Sequence, residues 1–352
     1  MKCSFSKSNL SKEFISQYLL DKYHNYLTSS KRLPKDVIYI ESRDENGFLR
    51  NIFPISYSKK EGNVKIENKF YLDVEKEEWE LLLSFLFKEY HVQNINITSV
   101  FETNNFQTKY PLIKYSDNVD NIAVLPSTFK QYIDSLGKQT KKHAKYYLGR
   151  ILRDFPNVEY KCSQGEDISF EDYTNISKLS KERMESKYLK YNLTEEDCKR
   201  FNDFFQNGLI YKVVIDGKTI AGCIGELIGE DFYLHKIAHD NKFSRYNLGQ
   251  IALLKLIELL INFRVKRFHF LWSKGVDYKI RFGGVPHAIW TYSFYTAHSF
   301  SYYKKLCITK VMEAKSFVLE ELRRNKKLIK LLHRLTYKVS KLRQVNKCNF
   351  AN

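Results

Sequence analysis

Alternating apolar and polar positions dominate the first third of the chain. They occur in the runs VIYIES, LRNIFPISYS and VKIENKFYLDV, which are separated by the turn sequences DENG and KKEGN. Such period-two runs between turn residues predict β-strands. The next run, EKEEWELLLSFLFKEY, spaces its apolar residues three and four apart and predicts an amphipathic helix, after which INITSVF predicts another strand. The pattern therefore predicts a small mixed α/β unit that ends near Asp120.

A second pattern begins at Leu125. Pro126 and Ser127 mark the start of a helix, with Ser127 as the predicted N-cap, and the basic run GKQTKKHAKYYLGRILRDF continues it. The pattern then predicts a strand at NVEYKC, two helices within residues 173–207, and three strands that end at His239.

The rest of this second pattern is an apolar helix after Gly249, followed by strands over residues 268–272 and 290–295. The dipeptide Asp216-Gly217, flanked by VVI and TIA, predicts a two-residue hairpin because Gly tolerates the positive φ that such turns need. We therefore divide the chain into three parts: a first unit (1–124), a second unit (125–298) and a helical tail (299–352).

Most of the positive charge lies in the tail. The whole chain has a formal charge of +18, and residues 300–352 contain 14 Lys or Arg against 3 acids, a net +11. The other 299 residues carry only +7. The run RRNKKLIKLLHRLTYKVSKLR has the basic, amphipathic pattern of a helix that docks on an anionic membrane surface or on a partner. The lysine excess also fits a composition bias, because Asn is abundant too.

The cysteine pattern and the hydropathy exclude several classes. Six scattered cysteines form no CxxC pair and no Cys/His ligand spacing, which argues against structural zinc and a disulfide framework and predicts a reducing compartment and no metal. The most apolar window, residues 251–263, is too short to span a bilayer and contains Lys255 and Glu258. The first residues lack the apolar core of a signal peptide. We expect a soluble, cytoplasmic protein.

Familiar catalytic motifs are missing from the sequence. It contains no GxSxG, no HExxH, no P-loop and no GxGxxG that follows a strand. Hydrolase, metalloprotease, NTPase and dinucleotide-binding functions therefore lack their main signals.

A turn between a predicted strand and a predicted helix is the first candidate site. The first amides of a helix have no intrahelical partner, and the helix dipole favours an anion there, so residues 244–250 predict a phosphate-binding turn. The predicted cofactor-binding residues are Arg245, Asn247, Leu248, Gly249, Gln250 and, after the next strand, Ser273. The alternatives are a plain strand-to-helix loop and a solvated Arg245.

Four motifs carry a resemblance to a known family. LPSTFKQYIDSLGKQTKKHAKY, LSKERMESKYL, SRYNLGQIALLKLIELL and YKIRFGG lie within residues 125–295. In this order they resemble the GNAT acyltransferases, in particular two-domain members related to the FemAB peptidyltransferases and to cellulose-biosynthesis acetyltransferase-like proteins. The resemblance implies an α/β (α+β) fold of tandem GNAT-like units, each a mixed, mostly antiparallel sheet flanked by helices, with the basic helical tail appended.

The resemblance also implies roles for several residues. Tyr278 and Lys279 match the family's YK-x-x-F/W-G motif, and a lysine there stabilises the negative charge that develops on the attacked carbonyl oxygen. Arg183 corresponds to an arginine that faces the acceptor, where its planar fork suits a diphosphate or carboxylate. Ordinary surface roles remain open for both: Lys279 beside a packing Phe, and Arg183 beside acidic neighbours on its helix.

The run KKHAKYYLGR predicts a basic and aromatic helix face. Lys142, Tyr146 and either Gly149 or Arg150 lie on neighbouring faces at three- and four-residue spacing. They can grip a nucleotide, with Tyr146 or Tyr147 stacked on a base. The alternative is a solvated charged face.

Acyl transfer to an amine requires a group that accepts a proton. A histidine does so near its ordinary pKa. His235, in the strand before the turn, is the first candidate, His269 the second, and Glu226 on the preceding strand the third. A histidine in a strand is also commonly a core residue, and His269 stands where many relatives have Asp.

We therefore expect an acyl-CoA-dependent N-acyltransferase that acts on a nucleotide-linked amino sugar in surface polysaccharide (O-antigen, capsule or lipopolysaccharide) biosynthesis. Acyl-CoA serves as co-substrate without a metal. One alternative is a FemAB-like aminoacyl transferase that uses charged tRNA, for which the basic tail gives salt-dependent phosphate contacts. The other is a non-catalytic protein whose tail binds a membrane or a partner. In either enzymatic case, the tail can hold the protein at the inner face of the membrane.

Overall fold

The structure is a computed structural model that describes residues 3–23, 33–72, 74–101, 108–186, 207–271, 277–297 and 299–324. Its helices are α1 (Lys12–Tyr23), α2 (Lys76–Tyr90), α3 (Phe129–Ser135), α4 (Lys138–Asp154), α5 (Phe170–Ser186), α6 (Leu248–Asn262), α7 (Asp277–Arg281) and α8 (Phe300–Arg324). Its strands are β1 (Ser4–Lys7), β2 (Ile38–Arg43), β3 (Leu49–Ser58), β4 (Asn63–Ile66), β5 (Asn94–Phe101), β6 (Leu112–Val124), β7 (Glu159–Gln164), β8 (Gly208–Ile215), β9 (Lys218–Ile228), β10 (Asp231–His239), β11 (Arg267–His269) and β12 (Val285–Tyr295).

The chain forms two compact units, and each is built from separate segments. Unit 1 comprises Met1–Leu136, Leu227–Tyr233 and Arg264–Thr309. Unit 2 comprises Gly137–Glu226, Leu234–Phe263 and Lys310–Asn352. This division differs from the contiguous segments predicted from the sequence. The physical reason is strand pairing, because the late strands β11 and β12 pair with β6 and so complete the sheet of unit 1.

Unit 1 has a mixed, mostly antiparallel sheet with the strand order β1-β2-β3-β4-β5-β12-β6-β11. The parallel pairs are β4 with β5, and β11 with the first three residues of β10. Helix α2 buries one face on this sheet: Trp79 contacts Phe294 edge to face, and Leu82 and Leu86 are fully buried. The amphipathic helix predicted from the sequence is thereby confirmed. Its apolar residues recur every three and four positions, so they share the one face that packs on the sheet.

Unit 2 contains the antiparallel strands β7, β8 and β9, with β10 next to β9. The predicted hairpin joins β8 to β9, with φ of 48° at Asp216 and 75° at Gly217. Most side chains of helix α6 are buried, which is consistent with apolar residues on nearly every side of the helix. The α/β class with a mixed sheet and flanking helices is confirmed.

Some predicted boundaries move by a few residues. The N-cap of α3 is Thr128, whose hydroxyl accepts a hydrogen bond from the Gln131 amide at 3.2 Å. The predicted cap, Ser127, instead contacts the Gln131 side chain. Of the tail, α8 is described to Arg324, whereas residues 325–352 and the second helix predicted within residues 173–207 lie outside the described residues. None of the described helices combines the length and the apolar character needed to cross a membrane.

Candidate active site

The turn between β10 and α6, in unit 2, presents helix-start amides. Asp240 caps a 3-10 turn over Asn241–Tyr246 by accepting a hydrogen bond from the Lys242 amide at 2.9 Å. Asn247 then adopts the left-handed conformation, with φ 52° and ψ 46°, which Asn tolerates better than most residues. The amides of Gln250 and Ile251 both donate to the Asn247 carbonyl, at 2.9 and 3.3 Å.

The amides of Leu248 and Gly249 are the first two of α6. They precede Gln250, the first residue of the helix whose amide donates to a backbone carbonyl within this turn, so they are available to an anion by the geometry common to all helix starts. The chain thus forms the strand, turn and helix arrangement that the sequence predicts for a phosphate.

Gly249 has a packing reason as well. A Cβ at this position would lie 3.1 Å from Nδ1 of His239 and 3.6 Å from its Cε1. The absence of a side chain therefore lets the start of α6 pass close to the end of β10. A glycine at position 249 is thus explained by its close approach to His239, beside the predicted contact of its amide with a phosphate.

Two arginines flank the turn. Arg245 donates from Nη2 to the Tyr246 hydroxyl at 2.5 Å, and that hydroxyl donates to Asp154 Oδ2 at 3.1 Å. Arg150, on α4, donates from Nη1 to the Arg245 carbonyl at 3.3 Å, and its guanidinium lies 5.3 Å from the centre of the Tyr246 ring. The turn is therefore held to α4 by Arg150, which the sequence indicated for the nucleotide-binding face of α4 and not for this turn.

Lys142, Tyr146 and Arg150 lie on one face of α4 at four-residue intervals. Lys142 and Tyr146 are exposed, and the Arg150 guanidinium lies 6.0 Å from the centre of the Tyr146 ring. The opposite face of α4 buries Thr140, Ala144 and Ile151. The predicted basic and aromatic face exists, and Arg150 connects it to the phosphate turn.

His235 and Glu226 come together on neighbouring strands of unit 2. Nε2 of His235 lies 3.7 Å from Oε2 of Glu226, and the exposed fractions of the two side chains are 22% and 5%. At this distance the carboxylate forms an ion pair with the imidazole when the ring carries a proton. Two of the three predicted proton acceptors thus form one pair.

Arg183 is held by β10. Its Nη1 donates to the Ile237 carbonyl at 3.1 Å, which ties α5 to the strand that carries His235. Lys236 makes a similar connection through the buried Ser177 hydroxyl, at 3.1 Å. Arg183 therefore has a structural contact beside any contact it makes with an acceptor.

His269 belongs to a buried network in unit 1. Its Nδ1 lies 2.7 Å from Oδ2 of Asp120, and neither side chain has any exposed surface. Its Nε2 lies 4.0 Å from Asp231, whose carboxylate accepts two hydrogen bonds from Arg267, at 2.6 and 2.7 Å. The Tyr233 ring stacks on the imidazole at 4.4 Å. This setting favours a structural role for His269 over proton transfer to a substrate.

Lys279 is also engaged within unit 1. It is 6% exposed, and its ammonium donates to the carbonyls of Phe270 and Leu271, both at 2.6 Å. Burial lowers the pKa of Lys279 to about 8, although the charge of Asp120 acts in the opposite direction. Two of the three N–H donors of the ammonium thus bind the backbone that follows β11. The role of Lys279 in stabilising the negative carbonyl oxygen of the reaction stays a prediction.

The remaining predicted residues give less information. Tyr278 is partly buried and contacts the Phe270 ring edge to face at 6.4 Å. Ser273 lies outside the described residues. Within the described part of the chain, no group of three or more His, Cys, Asp or Glu side chains is arranged to hold a metal ion.

Sequence reasoning missed His239 and the partners of His269, and it named Arg150 only as an alternative to Gly149 on the nucleotide-binding face of α4. Arg150 had a weak signal, its four-residue spacing from Tyr146. Asp120 and Asp231 had none, because they lie 149 and 38 positions from His269 along the chain and only strand pairing brings them together.

Residues 190–280 match the family model described as the acetyltransferase (GNAT) domain. No curated protein matches the chain.

Several solved structures are similar to most of the chain at low sequence identity. A structure of FemX has a TM-score of 0.62 at 9% identity and covers 82% of this chain and 97% of its own. The structure of L-PGS from Bacillus licheniformis has a TM-score of 0.54 at 10% identity, and the match covers 83% of this chain and 94% of the L-PGS chain. The structure of a conserved protein of unknown function from Bacteroides thetaiotaomicron VPI-5482 has a TM-score of 0.55 at 13% identity, and the match covers 83% of this chain and 100% of the other. With the domain match, these similarities give the chain a GNAT-type, FemAB-like fold.

Proposed function

We propose that the protein is an acyltransferase that moves an acyl or aminoacyl group from a phosphate-bearing donor to an amine. The observation that carries the proposal lies within unit 2: the amides of the turn before α6, flanked by Arg245 and Arg150, together with the His235–Glu226 pair. The match of residues 190–280 to an acetyltransferase domain supports the same class of reaction.

In the proposed mechanism, the amides of Leu248 and Gly249 bind a donor phosphate, and Arg245 adds a charge-assisted contact. His235 accepts the proton of the attacking amine, and Glu226 stabilises the imidazolium that results. The amine attacks the donor carbonyl directly: the new C–N bond forms, the carbonyl π pair moves to oxygen, and its return expels the thiolate or ribose oxygen of the donor. Lys142, Tyr146 and Arg183 are proposed to bind the acceptor.

The preferred donor is acyl-CoA, with a nucleotide-linked amino sugar as the acceptor. Charged tRNA is the second candidate. The observation that favours it is the exposed face of Lys142 and Tyr146, whose basic and aromatic character suits unpaired nucleotides. A binding role for the tail at an anionic membrane rests on residues 325–352, which lie outside the described residues.

Calorimetric titration of the full chain with coenzyme A, acetyl-CoA and tRNA, each at low and moderate salt, tests the proposal. Saturable binding of acetyl-CoA that changes little with salt supports the first donor, and salt-sensitive tRNA binding alone supports the second. Transfer is then measured from the bound donor to nucleotide-linked amino sugars. If neither donor binds, the proposed function is wrong.

A further inference from the structure

Helix α8 exposes a row of apolar side chains. Phe300 and Val311 are 81% and 67% exposed, and Tyr303 and Ile308 are exposed as well. Counted from Phe300, the four occupy positions i, i+3, i+8 and i+11, which lie on one side of an α-helix. A contiguous apolar row at the surface is characteristic of an interaction site. We call these four side chains the α8 face.

Another side of α8 is fixed to the protein by Ser301, Lys305 and Thr309, which follow one another at four-residue intervals. The Ser301 hydroxyl donates to Gln93 Oε1 at 2.6 Å. The Lys305 ammonium lies 5.2 Å from the centre of the Tyr115 ring, and Thr309 is buried. The helix is therefore held in one orientation, and the α8 face points to solvent.

Charge indicates which kind of partner fits this face. Residues 300–312 contain Lys304, Lys305 and Lys310 and no acidic residue, and residues 325–352 contain eight Lys or Arg and again no acid. A second copy of the helix, or the chain's own basic segment, would bring like charges together, which is unfavourable. An anionic bilayer has phosphates for the lysines and, directly beneath them, an apolar boundary for the side chains of the α8 face.

We propose that the α8 face docks on a membrane surface rich in anionic phospholipids. Phe300, Ile308 and Val311 enter the boundary between headgroups and acyl chains, and the helix lies along the surface without crossing it. Lys304 is exposed and stands four residues from both Phe300 and Ile308, so its ammonium extends to the lipid phosphates. The proposal does not depend on the transfer reaction proposed for unit 2.

Flotation of the full chain with lipid vesicles tests the proposal. One set of vesicles is pure phosphatidylcholine, and the other contains equal parts of phosphatidylcholine and phosphatidylglycerol. We expect binding to the anionic vesicles to exceed binding to the neutral ones by at least ~10-fold, because several lysines approach the charged surface. Equal binding to both sets, or no binding to the anionic set, would overturn the proposal.

Substitutions within the α8 face show whether this helix makes the contact. Phe300→Asp and Val311→Asp should each weaken binding to the anionic vesicles at least ~10-fold, because an apolar side chain leaves the bilayer boundary and a carboxylate meets the phosphates. Phe48→Asp, at an exposed apolar position outside α8, changes the net charge equally and should bind normally. Thermal denaturation checks that each variant is folded. If both α8 variants bind as tightly as the unmodified chain, other residues make the contact and the proposal is wrong.

Cys307 gives a second measurement that leaves the α8 face unchanged. It is exposed and stands seven residues from Phe300, on the same side of the helix. A polarity-sensitive fluorophore is attached to it in a chain that retains only Cys307 and the buried Cys223, with the other cysteines replaced by serine. Its emission should shift to the blue when anionic vesicles are added, whereas the same fluorophore on the exposed Cys162, outside α8, should not respond. Vesicle binding without a shift at Cys307 would contradict the proposal, as would self-association, in place of vesicle binding, that Val311→Asp abolishes.

Discussion

Gly249 and His239 lie so close that a Cβ on residue 249 would come within 3.1 Å of the histidine Nδ1. A side chain at residue 249 therefore requires the His239 ring to shift by a few tenths of an ångström, independently of any phosphate. A substitution at Gly249 alone does not separate loss of donor binding from loss of packing.

A double-mutant cycle separates the two effects. Gly249→Val should lower both the melting temperature and the donor affinity, because the new side chain meets the His239 ring. Combining it with His239→Ala makes room for the valine, so thermal denaturation should show recovery of a large part of the lost stability. Donor affinity measured by calorimetry should stay low in the double variant, since the proposed mechanism places the donor phosphate against the Gly249 backbone. If affinity recovers together with stability, the glycine acts only through packing.

Arg150 should matter for donor binding because it supports the turn before α6. Arg150→Ala removes the hydrogen bond to the Arg245 carbonyl and the contact with the Tyr246 ring. We expect donor affinity to fall ~10-fold, on the scale of one lost hydrogen bond to a charged group. Lys145→Ala, at an exposed position on the same helix, is the matched control and should bind normally. If both substitutions lower donor affinity equally, the effect comes from the loss of a positive charge and not from loss of the contacts that hold the turn.

The His235–Glu226 pair should carry the proton transfer. His235→Ala should lower kcat by ~10²-fold or more, the usual scale for a lost general base, with donor affinity nearly unchanged. Glu226→Gln should lower kcat by ~10-fold or more, because the imidazolium loses its partner. Steady-state kinetics across pH gives both values, and His287→Ala, an exposed histidine, is the control. A His235→Ala enzyme with full turnover would remove the residue from the mechanism.

Lys279 should make stability depend on pH under alkaline conditions. Its pKa is about 8 in the folded protein, and an unfolded lysine titrates near 10.4. Between these values the unfolded chain binds more protons, so the free energy of unfolding rises with pH. We therefore compare the free energy of unfolding of the unmodified protein with that of Lys279→Met. From about pH 8 to pH 10 the unmodified protein should gain stability relative to the variant, and below pH 7 the difference between the two free energies should stay constant. Urea denaturation at each pH measures it. A difference that is constant over the whole range would show that the lysine titrates normally.

The Asp120–His269 pair should contribute mainly to stability. Asp120→Asn removes the charge beside a fully buried imidazole and should lower the free energy of unfolding by about 3 kcal/mol, the scale for breaking a buried pair. Asp36→Asn, at an exposed position, should have little effect in the same urea experiment. If Asp120→Asn instead leaves stability intact and abolishes turnover, His269 takes part in the reaction.

The sequence by itself determined the local features of this protein. The period of α2, the Asp216-Gly217 hairpin and the strand, turn and helix around Gly249 all follow from short-range rules of side-chain spacing and backbone conformation. The charged and aromatic face of α4 follows from the same rules, because residues four apart on a helix always share a side.

Tertiary structure decided what those residues contact. Strand pairing over long sequence separations placed β11 and β12 in unit 1 and surrounded His269 with Asp120, Asp231 and Tyr233. It also brought Glu226 to His235 and directed the Lys279 ammonium to two carbonyls. None of these contacts is encoded in local spacing, since each depends on which strands become neighbours and in which register they pair.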